Sequence, residues 1–152
     1  MRHGEAEQVA SNDSLRALTS RGCQEAFSAG EWLTCQQTSI NVALISPFLR
    51  TQQTYSQVIQ TVSVEQSETM DFLRPEENAM DVQDYIDGLL TQSPELTSVL
   101  LVSHMPLVCY LVERFTGDYG PLFATASIVE IDYDGPGTKG KLSKCYHVPT
   151  ID

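Results

Sequence analysis

Apolar positions along the chain follow two rhythms. Ile40 to Ser46 (INVALIS) and Val99 to Ser103 (VLLVS) are short, nearly unbroken apolar runs rich in branched residues, the pattern of strands buried on both faces. Helical spacing follows each. After Pro47, the stretch from Arg50 to Gln60 puts Thr54, Tyr55, Val58 and Ile59 on one face. After Pro106, residues Val108, Leu111, Val112 and Phe115 recur at i, i+3, i+4 and i+7, and Gly117 stops the helix. Thr19 to Cys35 predicts a further helix with Thr19 as its N-cap. Ala79 to Leu90 predicts another, with Met80, Tyr85, Ile86 and Leu89 on its apolar side. Val62 to Glu65 reads as a short strand. Ser127 to Tyr133 alternates apolar with polar, and Lys141 to Val148 does so weakly, so both read as late strands, the last at an edge.

Strands alternating with helices predict an α/β fold: a single domain over residues 1–152 with a mainly parallel sheet and helices on both faces. Functional residues of such sheets lie just beyond the carboxyl ends of the strands. No internal repeat or linker-like tract interrupts the chain.

Composition narrows the class. Hydrophobic residues make up 41% and charged residues 19% of 152 positions, an ordinary globular balance. No apolar run is long enough to span a bilayer, and the opening Met1-Arg2-His3-Gly4-Glu5 has no signal-peptide core, so a cytoplasmic location is expected. Cys23, Cys35, Cys109 and Cys145 then read as free thiols. The first three lie on apolar stretches and are expected to be buried. None has zinc-ligand spacing, so neither a metal nor another cofactor is expected. The net charge of −11, with only nine Lys plus Arg, disfavours nucleic acid and anionic membranes as partners. It also makes any convergence of arginines a pointer to an anion.

The strand-end rule selects such a convergence. INVALIS runs into Pro47-Phe48-Leu49-Arg50, and VLLVS into His104-Met105-Pro106. Arg2-His3-Gly4 at the start completes a set of two arginines and two histidines. A neutral histidine is a good nucleophile toward phosphorus, with one ring nitrogen aimed and the other held by a hydrogen bond. Gly4 would let the backbone approach a phosphate closely. Arginine forks match the equatorial phosphoryl oxygens, and His104, if protonated, would add charge where the transition state gains it. Each signal alone is weak, since Arg-His-Gly is a common tripeptide. Their joint order at strand ends gives them weight.

The joint pattern resembles the histidine phosphatase, or phosphoglycerate mutase-like, superfamily. Arg2-His3-Gly4-Glu5 matches its signature, and Leu18-Thr19-Ser20-Arg21-Gly22 is similar to its LT-x-x-G segment. Ser46 to Thr54 is similar to its S-x-x-x-R-x-x-Q-T segment, and Ser103-His104 to its late histidine. Within the superfamily, Ser46–Thr54 and Ser103–Val108 most resemble the SixA-type phosphohistidine phosphatases. The resemblance implies a phosphoglycerate mutase-like fold without a large lid insertion. It implies a hydrolase in which His3 accepts the phosphoryl group and Arg2, Arg50 and His104 bind it. Arg16 matches an arginine near the pocket of SixA-type proteins, and Asp71 best matches the place of the superfamily's proton donor. His147 lies in no motif and reads as a surface histidine.

Two departures accompany the resemblance. The superfamily places an apolar strand directly before Arg-His-Gly, and here only Met1 precedes it, so a central strand is expected to be missing or truncated. The segment Glu68 to Pro94 is short and acidic, which implies an open pocket. An open pocket and a readily protonated leaving nitrogen favour phosphohistidine on a protein, such as a histidine-containing phosphotransfer domain or phosphocarrier of a phosphorelay. The alternatives are a phosphomonoesterase for small phosphorylated molecules and a non-catalytic phosphohistidine-binding module.

Overall fold

The computed structural model describes residues 1–36 and 38–149. Nine regular elements follow the chain: α1 (Ser20–Cys35), β1 (Ile40–Ile45), α2 (Leu49–Val58), β2 (Val64–Thr69), α3 (Ala79–Gln92), β3 (Val99–Val102), α4 (Leu107–Thr116), β4 (Ile128–Asp132) and β5 (Lys141–Tyr146). Single 3-10 turns occupy Asp13–Leu15 and Asp71–Leu73. No helix among the described residues is long and apolar enough to cross a membrane.

The apolar runs form the centre. β1 lies between β2 and β3 in a parallel sheet of order β2-β1-β3. Both faces of β1 are covered, which is why its sequence does not alternate. Ala43 and Ile45 pack with Ala29 and Leu33 of α1 and Val58 of α2. Val42 and Leu44 pack with Val82 and Ile86 of α3 and with Leu107, Leu111 and Phe115 of α4. Ile45 pairs with Val102, so β1 and β3 end level and deliver Ser46 and Ser103 to one edge.

The expected gap in the sheet is partly filled by the first residues. The Met1 amino group donates to Leu101 O at 2.9 Å. Ser103 N donates to Met1 O, and His3 N to Ser103 O. On the other side Arg2 N donates to Ser127 O and Ala126 N to His3 O. Residues 1–3 thus run parallel to β3 and tie it to the segment that enters β4. β4 and β5 form a separate antiparallel pair. Beside Met1, between β3 and β4, lies a cavity of about 520 Å³ lined by Leu101, Val112, Phe115, Phe123 and Ile131 among others. Burial there pushes the Met1 amino group down to about 5. His3, Arg50 and His104 do not line this cavity.

Three expectations need correction. Ile59 is not on the buried face of α2: the helix ends at Val58, and Ile59, its cap, turns outward. α3 buries Val82 and Ile86, whereas Met80 in its first turn stands clear of the sheet. The four cysteines are free, but none is buried: Cys35 at the last turn of α1 and Cys145 on the edge strand β5 are exposed, and Cys23 and Cys109 are half-buried.

Candidate active site

His3 is placed by the ladder contact to Ser103 and by the residue after it. Gly4 N donates to Thr54 Oγ1 at 3.0 Å, which ties the Arg-His-Gly segment to α2. A Cβ on Gly4 would overlap the Gly22 carbonyl, and one on Gly22 would overlap the backbone of Glu5. The two glycines therefore interlock the first segment with the N-terminal turn of α1. Gly4 is required by that contact between backbones.

The His3 ring is 7% exposed. Its Nδ1 lies 2.7 Å from Gly4 O. A carbonyl can only accept, so Nδ1 carries the hydrogen and Nε2 keeps its lone pair. Burial lowers the pKa to about 4 against the raising effect of the Gly4 bond, and the guanidinium groups of Arg50, Arg2 and Arg16 lower it further. His3 is thus neutral near pH 7, with Nε2 accepting from Arg50 Nε at 3.3 Å.

His104 is 1% exposed, with its ring centroid 5.2 Å from that of His3. Its Nε2 lies 2.7 Å from Ser46 Oγ. Phe48 N donates to the same oxygen at 3.5 Å. His104 Nδ1 is buried without a partner. Burial first, then His3 and Arg50, lower the His104 pKa to about 3. His104 is therefore neutral near pH 7, and the condition set for it above, that it be protonated, is not met there.

Arg2 donates from Nη1 to Phe123 O at 2.7 Å, and its buried Nε is unpartnered. Burial lowers its pKa. Arg50, 4% exposed, stacks on Phe48 with 4.9 Å from Cζ to the ring centroid. Its Nη1 donates to Asp13 O at 2.7 Å and its Nη2 to Asp13 Oδ2 at 3.1 Å. Arg16 donates from Nε to Glu7 O and from Nη1 to Asp13 Oδ1. The structure thus brings His3, Arg2, Arg50, His104 and Arg16 into one neighbourhood.

Asp71 opens the 3-10 turn after β2 and pairs with Arg74 at 2.8 Å, with its side chain 74% exposed. No hydrogen bond joins it to the other five. His147 is exposed, with Nδ1 within 3.1 Å of Ser127 Oγ. Sequence reasoning missed Asp13. Its only signal is an acid three residues ahead of Arg16, in a stretch without apolar periodicity. Other motif positions support their neighbours. Gln53 Oε1 accepts from Leu18 N, Thr51 Oγ1 donates to Ser46 O, and Ser103 Oγ donates to Leu73 O. Among the described residues no three His, Cys, Asp or Glu side chains gather as a metal site.

No family model matches the chain. It is 39% identical over 150 residues to phosphohistidine phosphatase SixA of Escherichia coli, which covers 95% of this chain and 92% of that protein. It is 38% identical over 144 residues to the SixA homolog of Haemophilus influenzae, covering 89% and 87%. The solved structure of the protein histidine phosphatase SixA complexed with tungstate matches with a TM-score of 0.90 and 35% identity, over 95% of this chain and 92% of that one. With the fold, the strand-end cluster and this similarity over nearly its whole length, the chain belongs to the SixA phosphohistidine phosphatase family, within the histidine phosphatase superfamily.

Proposed function

We propose that the protein hydrolyses phosphohistidine on other proteins, with His3 Nε2 as the phosphoryl acceptor. The observation that carries this reading is the His3 ring itself. Its Nδ1 is held on Gly4 O, and its neutral Nε2 faces a cluster of arginines. Two further nitrogens nearby, Arg2 Nε and His104 Nδ1, are buried without partners. Such orphans are costly unless a ligand satisfies them, and a phosphoryl group has the oxygens to do so. Tungstate, bound by the related SixA structure, is an oxyanion of that shape.

In the first step Nε2 attacks phosphorus. The new P–N bond forms as the substrate's P–N bond breaks, and the electron pair goes to the leaving imidazole nitrogen, which takes a proton from solvent water. In the second step water attacks the phosphohistidine on His3, releasing phosphate and restoring Nε2. Arg2, Arg50, Arg16 and His104 stabilise the phosphoryl oxygens. Asp71, tied to Arg74 on the surface, would have to leave that pair to act as proton donor. A phosphoramidate nitrogen needs such an acid less than an ester oxygen does. This favours a phosphohistidine carried by a phosphotransfer domain or phosphocarrier, the partner class of a phosphorelay.

The test compares a histidine-phosphorylated protein with p-nitrophenyl phosphate. Fast loss of phosphohistidine and slow ester turnover are expected, with trapped label on His3 in an acid-labile, base-stable form. Preferred turnover of the ester would select a phosphomonoesterase, and label on serine or cysteine would overturn the mechanism.

A further inference from the structure

We propose that Asp13 is a positioning residue for the phosphoryl pocket: it pins the end of Arg50 so that the guanidinium presents its Nε edge to His3. This rests on the reading of His3 as phosphoryl acceptor. Arg50 extends from the first turn of α2, and three contacts fix its plane. Phe48 covers one face. The two Nη nitrogens at the end each give one hydrogen to Asp13, one to its carbonyl and one to its carboxylate. The remaining edge, made of Nε–H and the second hydrogen of Nη2, lies toward His3, where Nε is 3.3 Å from Nε2. That edge is a two-pronged donor beside the attacking atom. An arriving phosphoryl oxygen can take it without disturbing the end held by Asp13.

Asp13 is built for this role. It begins a 3-10 turn that Asn12 caps by accepting from Ser14 N, which fixes the carbonyl and carboxylate on the same side of the loop. Its other carboxylate oxygen holds Arg16, so one acid orders two of the three arginines near the site. Those bonds keep the carboxyl ionised, below its ordinary range although burial opposes them. A charged carboxylate is suited to holding arginines and unsuited to donating a proton to a leaving group.

The experiment is a double-mutant cycle with two readouts, orthovanadate affinity and phosphohistidine turnover. Asp13→Asn keeps the shape and removes the charge. It is expected to weaken orthovanadate by about tenfold and to lower kcat more than it raises KM, because the Nε edge serves the transition state. In an Arg50→Ala background the same substitution is expected to weaken orthovanadate by clearly less than with Arg50 present, the remainder running through Arg16. Asp13→Glu, which keeps the charge on a longer arm, is expected to recover part of the loss. An equal loss with and without Arg50, or no loss at all, would overturn the proposal. Thermal melts identify a variant that fails to fold, and Asn12→Ala, which loosens the same turn but keeps the carboxylate, then serves as a second probe. It is expected to weaken orthovanadate more where Arg50 is present than where it is absent. Orthovanadate coupling without phosphohistidine turnover would sink the assigned reaction and leave the role of Asp13 standing.

Discussion

A guanidinium offers two donor edges and two faces, and Arg50 uses nearly all of them. This makes the fork itself, more than the positive charge, the property to test. Charge-assisted hydrogen bonds contribute roughly 1.5–3 kcal/mol each, so Arg50→Ala should weaken orthovanadate inhibition by about 10- to 100-fold. Arg50→Lys should recover little of it, because an ammonium cannot hold Asp13 and two phosphoryl oxygens in one plane. Arg74→Ala removes a surface pair with Asp71 and should leave the inhibition constant unchanged. Full recovery by lysine would show that charge alone suffices. The gathering of His3, Arg2, Arg50 and His104 was legible in the sequence because each lies in a short contiguous string beside a strand. Asp13 was not: its bond to Arg50 spans 37 positions and no local period points to it. The neutral state of His104 was equally hidden, since it comes from burial by elements that only the fold brings together.

At the scale of elements, the contact between the first segment and α1 has no slack. Gly4 and Gly22 meet backbone to backbone, so neither neighbour can swing aside as a side chain would. Gly22→Ala should therefore destabilise the protein by about 1–3 kcal/mol and displace His3 with the Gly4 carbonyl that orients it. Gly88, in the middle of α3, has open space around its missing Cβ. Gly88→Ala should raise stability by roughly 0.4–1 kcal/mol through lost freedom of the unfolded chain. Urea melts and phosphohistidine turnover on the pair check this, and equal effects would refute the interlock. The elements themselves were largely readable, since β1 and β3 are unbroken apolar runs, α4 has a helical period with a glycine stop, and α1 has a clear N-cap. The buried face of α3 was not. A helix in contact with a sheet along only part of its length buries fewer positions than its amphipathic pattern offers, and here Val82 and Ile86 take that place. The reason for Gly4 was also out of reach, because its partner is 18 residues away on another element.

The whole molecule stores its two pocket histidines uncharged, and that couples stability to pH. His3 and His104 titrate near 4 and 3 in the folded protein, below the ordinary value of 6.5 that each regains on unfolding. Between those limits the unfolded chain binds more protons than the folded one, so stability falls as pH falls. The histidine contribution should be flat above about pH 7. Below 6.5 it should drop by roughly 1.4 kcal/mol per pH unit for each histidine, until the folded pKa values are reached. The histidine share is read as a difference between the variant and the unaltered protein. Urea unfolding between pH 7.5 and 5 should show a shallower fall for His104→Asn than for the unaltered protein, by close to one proton below pH 6. Orthovanadate, as an anion against the same ring, should raise the His104 pKa and flatten the dependence while it is bound. An identical slope in the variant would mean that His104 is already charged in the folded pocket, and the picture of a neutral cradle awaiting an anion would fail.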